Sequence, residues 1–288
     1  MADPAIRRKL EAGEFFMAPG AYDMLTALLI KRIGFDCVYA PGFWMMATYL
    51  GLPDAGIATY TEMLNRISKL VEISDAPVIA DADTGYGGLL NVHHTVRGYE
   101  DAGVTGVQLE DQEFPKKCGH TPGKRLVTVD EMRDRLKVAL DARRDEDLLI
   151  IARTDARKGE GFKETMDRAH AFAEEGVDML FLEGLESRDE MVSACAQLET
   201  PILLNMVEGG DTPIVSAAEL AEMGVACAIY PAMSPLHALA AIDGALRNLQ
   251  ETGHTPAPDA GVFDFGDACR LIGFEDVWAF DEKWAPRD

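Results

Sequence analysis

Two groups of residues in this 288-residue chain have types and spacings that chemistry could use. The first is Lys116-Lys117-Cys118-Gly119-His120, with Lys124 and Arg125 close behind. A thiol set among cations is a reactive thiol rather than an inert one, and glycines at 119 and 123 let such a loop hinge. The alternative is a solvated basic turn. The second group is acidic: Asp54, Asp81, Asp83 and Glu110. Asp81 and Asp83 lie two apart, so on a strand they face the same side. Carboxylates gathered in a small volume repel unless a cation neutralises them. An all-oxygen set favours a hard divalent ion, Mg2+ or Mn2+, over zinc, and no Cys and His spacing points to zinc. The alternative here is that some of these acids cap helices while others pair with Arg153 or the loop lysines.

Positioning these groups requires a scaffold, and the chain has a regular one. Short apolar runs occur at 16–19, 37–40, 78–80, 107–109, 148–152, 179–182, 202–204 and 226–230. Stretches of helical period lie between them at 24–33, 61–73, 89–102, 129–143, 163–175, 188–198 and 217–223, and another at 236–251 follows the last run. Thr128, Ser187 and Ser216 stand where helix N-caps belong. Gly34, Gly103, Gly176 and Gly224 stand where helices stop. Apolar runs without polar alternation, linked by helices, are parallel strands covered on both faces. Eight such units predict an α/β fold, a closed (β/α)8 barrel over residues 1–255. The remaining 256–288 form a helical tail, with short apolar segments at 264–272 and 277–283, that must bury itself on the barrel or on a neighbouring subunit. Barrel chemistry collects at the C-terminal ends of strands, and the polar residues fall there. They are Tyr39 and Gly42, Asp81 and Asp83, Glu110 and Asp111, Arg153 and Asp155, Glu183, and Asn205.

Composition narrows the partners. A net charge of −22 argues against nucleic acid and against an anionic membrane, since both need cationic surface. No apolar run approaches the roughly 18 residues of a membrane span, and the first ten residues lack the apolar core of a secretory signal. The five cysteines form no CxxC pair, a scatter that suits a reducing cytoplasm.

Several motifs together resemble the isocitrate lyase and phosphoenolpyruvate mutase superfamily. They are Asp81-Ala-Asp-Thr-Gly-Tyr-Gly-Gly88, Gln108-Leu-Glu-Asp-Gln112, Lys116-Lys-Cys-Gly-His120, Gly51-Leu-Pro-Asp54, Ala152-Arg-Thr-Asp155, Phe181-Leu-Glu-Gly184 and Asn205-Met-Val-Glu-Gly-Gly210. Within the superfamily the chain is most similar to the short 2-methylisocitrate lyase, 2,3-dimethylmalate lyase and petal death protein type. The resemblance implies a barrel whose eighth helix is exchanged between subunits, and a homotetramer made of two such dimers. It implies Mg2+ (Mn2+ as the substitute) held by Asp81 and Asp83, partly through water, with Asp54 and Glu110 in support. The Cys118 loop would be a gate over a small carboxylate substrate. The activity implied is cleavage of a 2-hydroxy di- or tricarboxylate, a substituted malate or a methylisocitrate, to a 2-keto acid and a carboxylate. A thiol of ordinary pKa, about 8.5, is mostly protonated near neutrality, which casts Cys118 as general acid. Arg153 would neutralise developing charge, His120 would tune the thiol or touch substrate, and Tyr39 would be a base or a hydroxyl partner. Pro41, Gly42, Phe43, Gly119, Glu183 and Asn205 would surround the substrate.

Two departures from the family pattern bear on the substrate. Pro41 replaces a Ser or Thr, and no arginine stands near Leu236 and His237. One hydroxyl and one cation fewer, beside the apolar Phe43-Trp44-Met45-Met46, favour an alkylated dicarboxylate over a tricarboxylate. The alternatives on the same scaffold are an oxaloacetate hydrolase or decarboxylase and phosphoenolpyruvate mutase-type carboxyphosphonate chemistry. Outside catalysis, the alternative is a binder of small acids or an assembly scaffold.

Overall fold

In a computed structural model that describes residues 2–119, 123–256 and 261–285, the eight apolar runs are strands. These are β1 (Phe16–Pro19), β2 (Val38–Ala40), β3 (Val78–Asp81), β4 (Gly106–Glu110), β5 (Leu149–Thr154), β6 (Met179–Leu182), β7 (Ile202–Asn205) and β8 (Cys227–Tyr230). The helices are α1 (Ala5–Glu11), α2 (Met24–Ile33), α3 (Gly42–Leu50), α4 (Tyr60–Ser74), α5 (Leu89–Asp101) and α6 (Val129–Ala142). They continue with α7 (Arg157–Ala173), α8 (Arg188–Gln197), α9 (Ala217–Glu222), α10 (Met233–Thr252), α11 (Phe265–Leu271) and α12 (Phe274–Trp284). All strand pairs are parallel, in the order β1-β8-β7-β6-β5-β4-β3-β2. The two ends of the sheet meet where Gly20 bridges Tyr39 and the Ala21 N–H donates to the Tyr39 carbonyl at 2.9 Å. This is the (β/α)8 barrel expected from the sequence.

The strands look uniformly apolar in sequence because both faces are buried, yet their alternation is strict. Phe16 and Ala18, Cys37 and Tyr39, Leu149 and Ile151, Met179 and Phe181, and Cys227 and Ile229 pack together inside the barrel, and Ile6 from α1 joins them. The intervening residues, among them Val38, Val78, Val107, Ile150, Leu180 and Ala228, pack outward with the helices. Carried two residues further, the inward rows end in polar side chains. Ile79 is followed by Asp81, Gln108 by Glu110, Ile151 by Arg153, Phe181 by Glu183 and Leu203 by Asn205. The period of two therefore delivers the site to the mouth.

Thr128, Ser187 and Ser216 accept from the backbone N–H three residues on, as N-caps do. Three segments differ from the sequence reading. Residues 43–46, apolar and outside every helical stretch read from the sequence, lie in α3, which starts after Pro41 and stops at Gly51 in a left-handed conformation (φ 65°). Its signals were punctuation rather than period, with a proline before and a glycine after. Helix α7 begins at Arg157 and breaks at Gly161 (φ 87°), so the continuous period starts only beyond it. Helix α10 starts three residues earlier than its period, and only Pro235 in it is buried. Leu239, Ile242, Leu246 and Leu249 remain between 45% and 60% exposed. Among the described residues no helix is long and apolar enough to cross a membrane.

Candidate active site

A cavity of about 300 Å³ opens at the C-terminal mouth of the barrel. Its floor is polar. Asp81 from the end of β3, Glu110 from β4, Arg153 from β5 and Asn205 from β7 line it, and so does Glu183, which directly follows β6. One wall is apolar, built from Phe43 and Trp44 of α3 with Val207, Pro231 and Leu236. Cys118 and Gly119 close over it from the loop after β4. Tyr39, Pro41, Gly42 and Asp54 complete the residues that the sequence placed here. Asp83 stands just behind the lining, against Lys116. His120 lies outside the described residues.

Arg153 organises the floor. Its Nε and Nη2 donate to the two oxygens of Asp155, at 3.1 and 2.9 Å. The same guanidinium lies 3.5 Å from Glu110 Oε2 and 3.3 Å from Glu183 Oε2, and stacks over Phe181 with 4.9 Å to the ring centre. Asn205 Nδ2 donates to Glu183 Oε2 at 3.1 Å. Among the described residues Glu110 Oε1 and Asn205 Oδ1 are buried acceptors without a hydrogen-bond partner. A ligand or ion that brings donors or positive charge to the cavity would meet that need.

The acidic side holds a residue the sequence reading missed as a site member. Lys116 is buried, with its Nζ 2.6 Å from Asp54 Oδ2 and 2.7 Å from Asp83 Oδ1. Burial raises the Asp83 carboxyl, Lys116 opposes this, Asp81 and Asp54 add to it, and the outcome is about 7. Burial likewise lifts Glu110 well above the carboxylate range, against the pull of Arg153 and Lys116. Asp83 adopts a left-handed backbone (φ 50°), an uncommon conformation that aspartate tolerates better than most residues. Its N–H donates to Asp81 Oδ1 at 3.1 Å. The set consists of oxygens whose mutual repulsion one lysine only partly offsets, so the donors present fit a hard divalent cation. Among the described residues no group of three or more His, Cys, Asp or Glu side chains forms a ready-made metal cage. Mg2+ needs none, because it keeps several waters and takes one or two carboxylates.

Tyr39 is placed as a donor. Its hydroxyl donates to Gln108 Oε1 at 2.8 Å, and Gln108 Nε2 passes the contact to Asp81 Oδ1 at 3.2 Å. Burial, with Asp81 close by, pushes this phenol well above its ordinary value, so the geometry favours the hydroxyl-partner role over the base. Gly42 and Gly119 are tight approaches. A Cβ on Gly42 would lie 2.8 Å from Asp81 Oδ2. One on Gly119 would run into the Arg153 guanidinium and lie 2.7 Å from Asp155 Oδ1. No side chain caps α3 at Pro41, so its first backbone N–H groups are left for a ligand at the cavity edge.

The phosphoenolpyruvate phosphomutase family profile matches residues 6–250. The chain is 42% identical to the 2,3-dimethylmalate lyase of Eubacterium barkeri over 284 residues, covering 97% of each. It is 39% identical to the 2-methylisocitrate lyase of Aeropyrum pernix over 271 residues, covering 94% of this chain and 87% of that one. Among solved structures, an oxaloacetate acetylhydrolase in complex with the inhibitor 3,3-difluorooxalacetate superposes with a TM-score of 0.91 at 35% identity, covering 98% of this chain and 96% of that one. A phosphonopyruvate hydrolase complex with oxalate and Mg2+ superposes with a TM-score of 0.88 at 28% identity, covering 99% of this chain and 100% of that one.

Proposed function

The chain belongs to the phosphoenolpyruvate phosphomutase family, and on that premise we propose that it is a Mg2+-dependent carbon–carbon lyase acting on an alkyl-substituted 2-hydroxy dicarboxylate. The products are a 2-keto acid and a carboxylate. The observation that carries this reading is the joint placement of Cys118 and Arg153 on one cavity with a carboxylate floor and an apolar wall. Asp81 and Asp83 would hold the ion, partly through water, with Asp54 and Glu110 in support and Mn2+ as a substitute. The bound ion supplies chelation of a carboxylate and the adjacent hydroxyl, which lowers the cost of deprotonating that hydroxyl.

The chain's own residues account for the rest. Glu183, Asn205 and the free N–H groups at Gly42 and Phe43 orient the substrate carboxylates. As the hydroxyl proton passes to a carboxylate on the cavity floor, a C2–O double bond forms and the C2–C3 bond breaks, and its electron pair is delocalised into the C3 carboxylate. Arg153 offsets that charge. Cys118 gives its proton to C3, which releases the second product. Tyr39 acts by position, steering Asp81 through Gln108. His120, outside the described residues, would tune the thiol or contact substrate. Phe43, Trp44, Val207 and Leu236 take the alkyl substituents, and Pro41 and the lack of an arginine near Leu236 disfavour a third carboxylate.

A screen of malates, alkylated malates and isocitrates with Mg2+, assayed for 2-keto acid, tests the reading. Alkylated malates are expected to be preferred and EDTA to abolish turnover. A preference for methylisocitrate would overturn the dicarboxylate assignment. Oxalate plus acetate from oxaloacetate would point instead to the hydrolase reading, which the likeness to oxaloacetate acetylhydrolase favours. Gly119→Ala is expected to lower kcat by about 10²-fold in the same assay, because a methyl group there forces the loop off Arg153 by a fraction of an ångström or more. A kcat within twofold of the parent would mean the loop does not need this approach.

For assembly, we propose a homotetramer of helix-swapped dimers, with α10 and the tail at 256–288 seated on a partner subunit. The exposed row Leu239, Ile242, Leu246 and Leu249 supports it. Sedimentation equilibrium is expected to give four times the 31.4 kDa chain mass, and a monomer at micromolar concentration would refute it. The five cysteines are free, which suits work in a reducing cytoplasm.

A further inference from the structure

The proposed chemistry gives no work to Gln112, Lys124 or Asp155, three polar side chains that are wholly or mostly buried around the Cys118 segment. Their contacts form one connected set. The two oxygens of Asp155 are both shared. Oδ1 accepts from Arg153 Nη2 at 2.9 Å and from Lys124 Nζ at 3.3 Å. Oδ2 accepts from Arg153 Nε at 3.1 Å and from Gln112 Nε2 at 3.0 Å.

Each of the other two side chains also grips the loop backbone. The Gln112 amide accepts from the Lys117 N–H at 3.0 Å and donates to the Lys117 carbonyl at 2.8 Å. Lys124 Nζ donates to the Gly119 carbonyl at 2.6 Å. Cys118 is therefore flanked on both sides by backbone groups tied to one carboxylate, and that carboxylate fixes the guanidinium below. Asp155 is itself held. Its N–H donates to Asp111 Oδ1 at 2.9 Å, and the neighbouring Thr154 hydroxyl donates to Asp111 Oδ2 at 2.7 Å. Burial alone would raise the Asp155 carboxyl, but Arg153 and Lys124 beside it bring it down to about 2, so its charge is present at every working pH.

We propose that Gln112, Lys124 and Asp155 are positioning residues: they hold the Cys118 segment shut by fastening it to the same carboxylate that orients Arg153. The oxygens that grip Arg153 are shared with Gln112 and Lys124, the two side chains that grip the loop backbone on either side of Cys118. Placement of the thiol and placement of the guanidinium are then one event. The proposal rests on the reading of Cys118 and Arg153 as the reacting groups only for its purpose, not for its test.

The test is the alkylation rate of each cysteine by iodoacetamide, resolved by peptide mass spectrometry in the full-length protein without substrate. Gln112→Met and Lys124→Met remove the backbone grips at nearly constant volume, and Asp155→Asn removes the shared charge. Each is expected to raise the Cys118 rate by about tenfold or more, the scale set by losing buried hydrogen bonds to a charged group. Cys195 and Cys269, which lie on α8 and α11 away from the mouth, are expected to keep their parental rates. Lys124 stands on the returning limb of the loop, so its variant cannot lose the barrel core. A Cys118 rate within twofold of the parent in Asp155→Asn would overturn the proposal, whatever the other variants do. So would all three cysteines accelerating together, because that is general loosening. Failure of every malate in the activity screen would undo the lyase reading and leave this result standing.

Discussion

Cys118→Ser is expected to cut kcat by a factor on the order of 10² or more while KM changes little. Serine keeps the shape of the side chain and its place in the loop, but a hydroxyl is a far weaker acid than a thiol and cannot give up its proton to a carbanion at a comparable rate. Contacts that hold the loop in place also come from its neighbours and its backbone. Lys116 still reaches Asp54 and Asp83, and the Cys118 N–H still donates to the Asp54 carbonyl at 3.3 Å. Closure should survive, and the loss should fall on the step that consumes the proton. Steady-state kinetics at saturating Mg2+ measure it. Unchanged kcat would remove the thiol from the mechanism.

Arg153→Met should do more damage, in two separable ways. The guanidinium faces Glu110, Asp155 and Glu183 within 3.5 Å, and all of them are buried. Taking one partner out of a buried ionic group typically costs about 3–5 kcal/mol, because the remaining charges stay desolvated and unpaired. Urea denaturation should show that loss as a lower midpoint. Activity should fall by about 10²- to 10³-fold, the usual effect of removing one preorganised electrostatic stabiliser. Arg153→Lys separates the two effects. It restores one positive charge but not the fork that meets both oxygens of Asp155, so stability should recover more than turnover. Equal recovery of both would mean that Arg153 matters to folding alone.

Much of this site was legible because barrel strands translate sequence spacing into position. Asp81, Glu110, Arg153, Glu183 and Asn205 each stand at or directly after a strand end, and the period of two turns them inward. The cations around Cys118 were visible as an anomaly in a chain of net charge −22. That some acids would pair with the loop lysines was one of the two readings, but which lysine meets which acid was not visible. Lys116 meets Asp54 across 62 positions, a contact set by the path of the loop and not by any local period. The excess of acids at the mouth was the one available hint that a nearby lysine would turn inward. Gln112 closes the Gln108–Gln112 motif, but an amide two residues past a strand gives no sign in the sequence of whether it faces solvent or clamps a backbone. Helix α3 was missed because its four bulky residues, Phe43 to Met46, fill consecutive positions and mask the helical period. The exposed row on α10 follows the expected spacing, and among the described residues it stays uncovered.

The most direct measurement is product analysis by NMR after incubation of 2,3-dimethylmalate with the enzyme and Mg2+ in deuterated water. Cleavage between C2 and C3 predicts pyruvate and propionate in equal amounts, with one solvent-derived deuteron on C2 of the propionate. Intact substrate under these conditions, together with conversion of oxaloacetate to oxalate and acetate, would contradict the account.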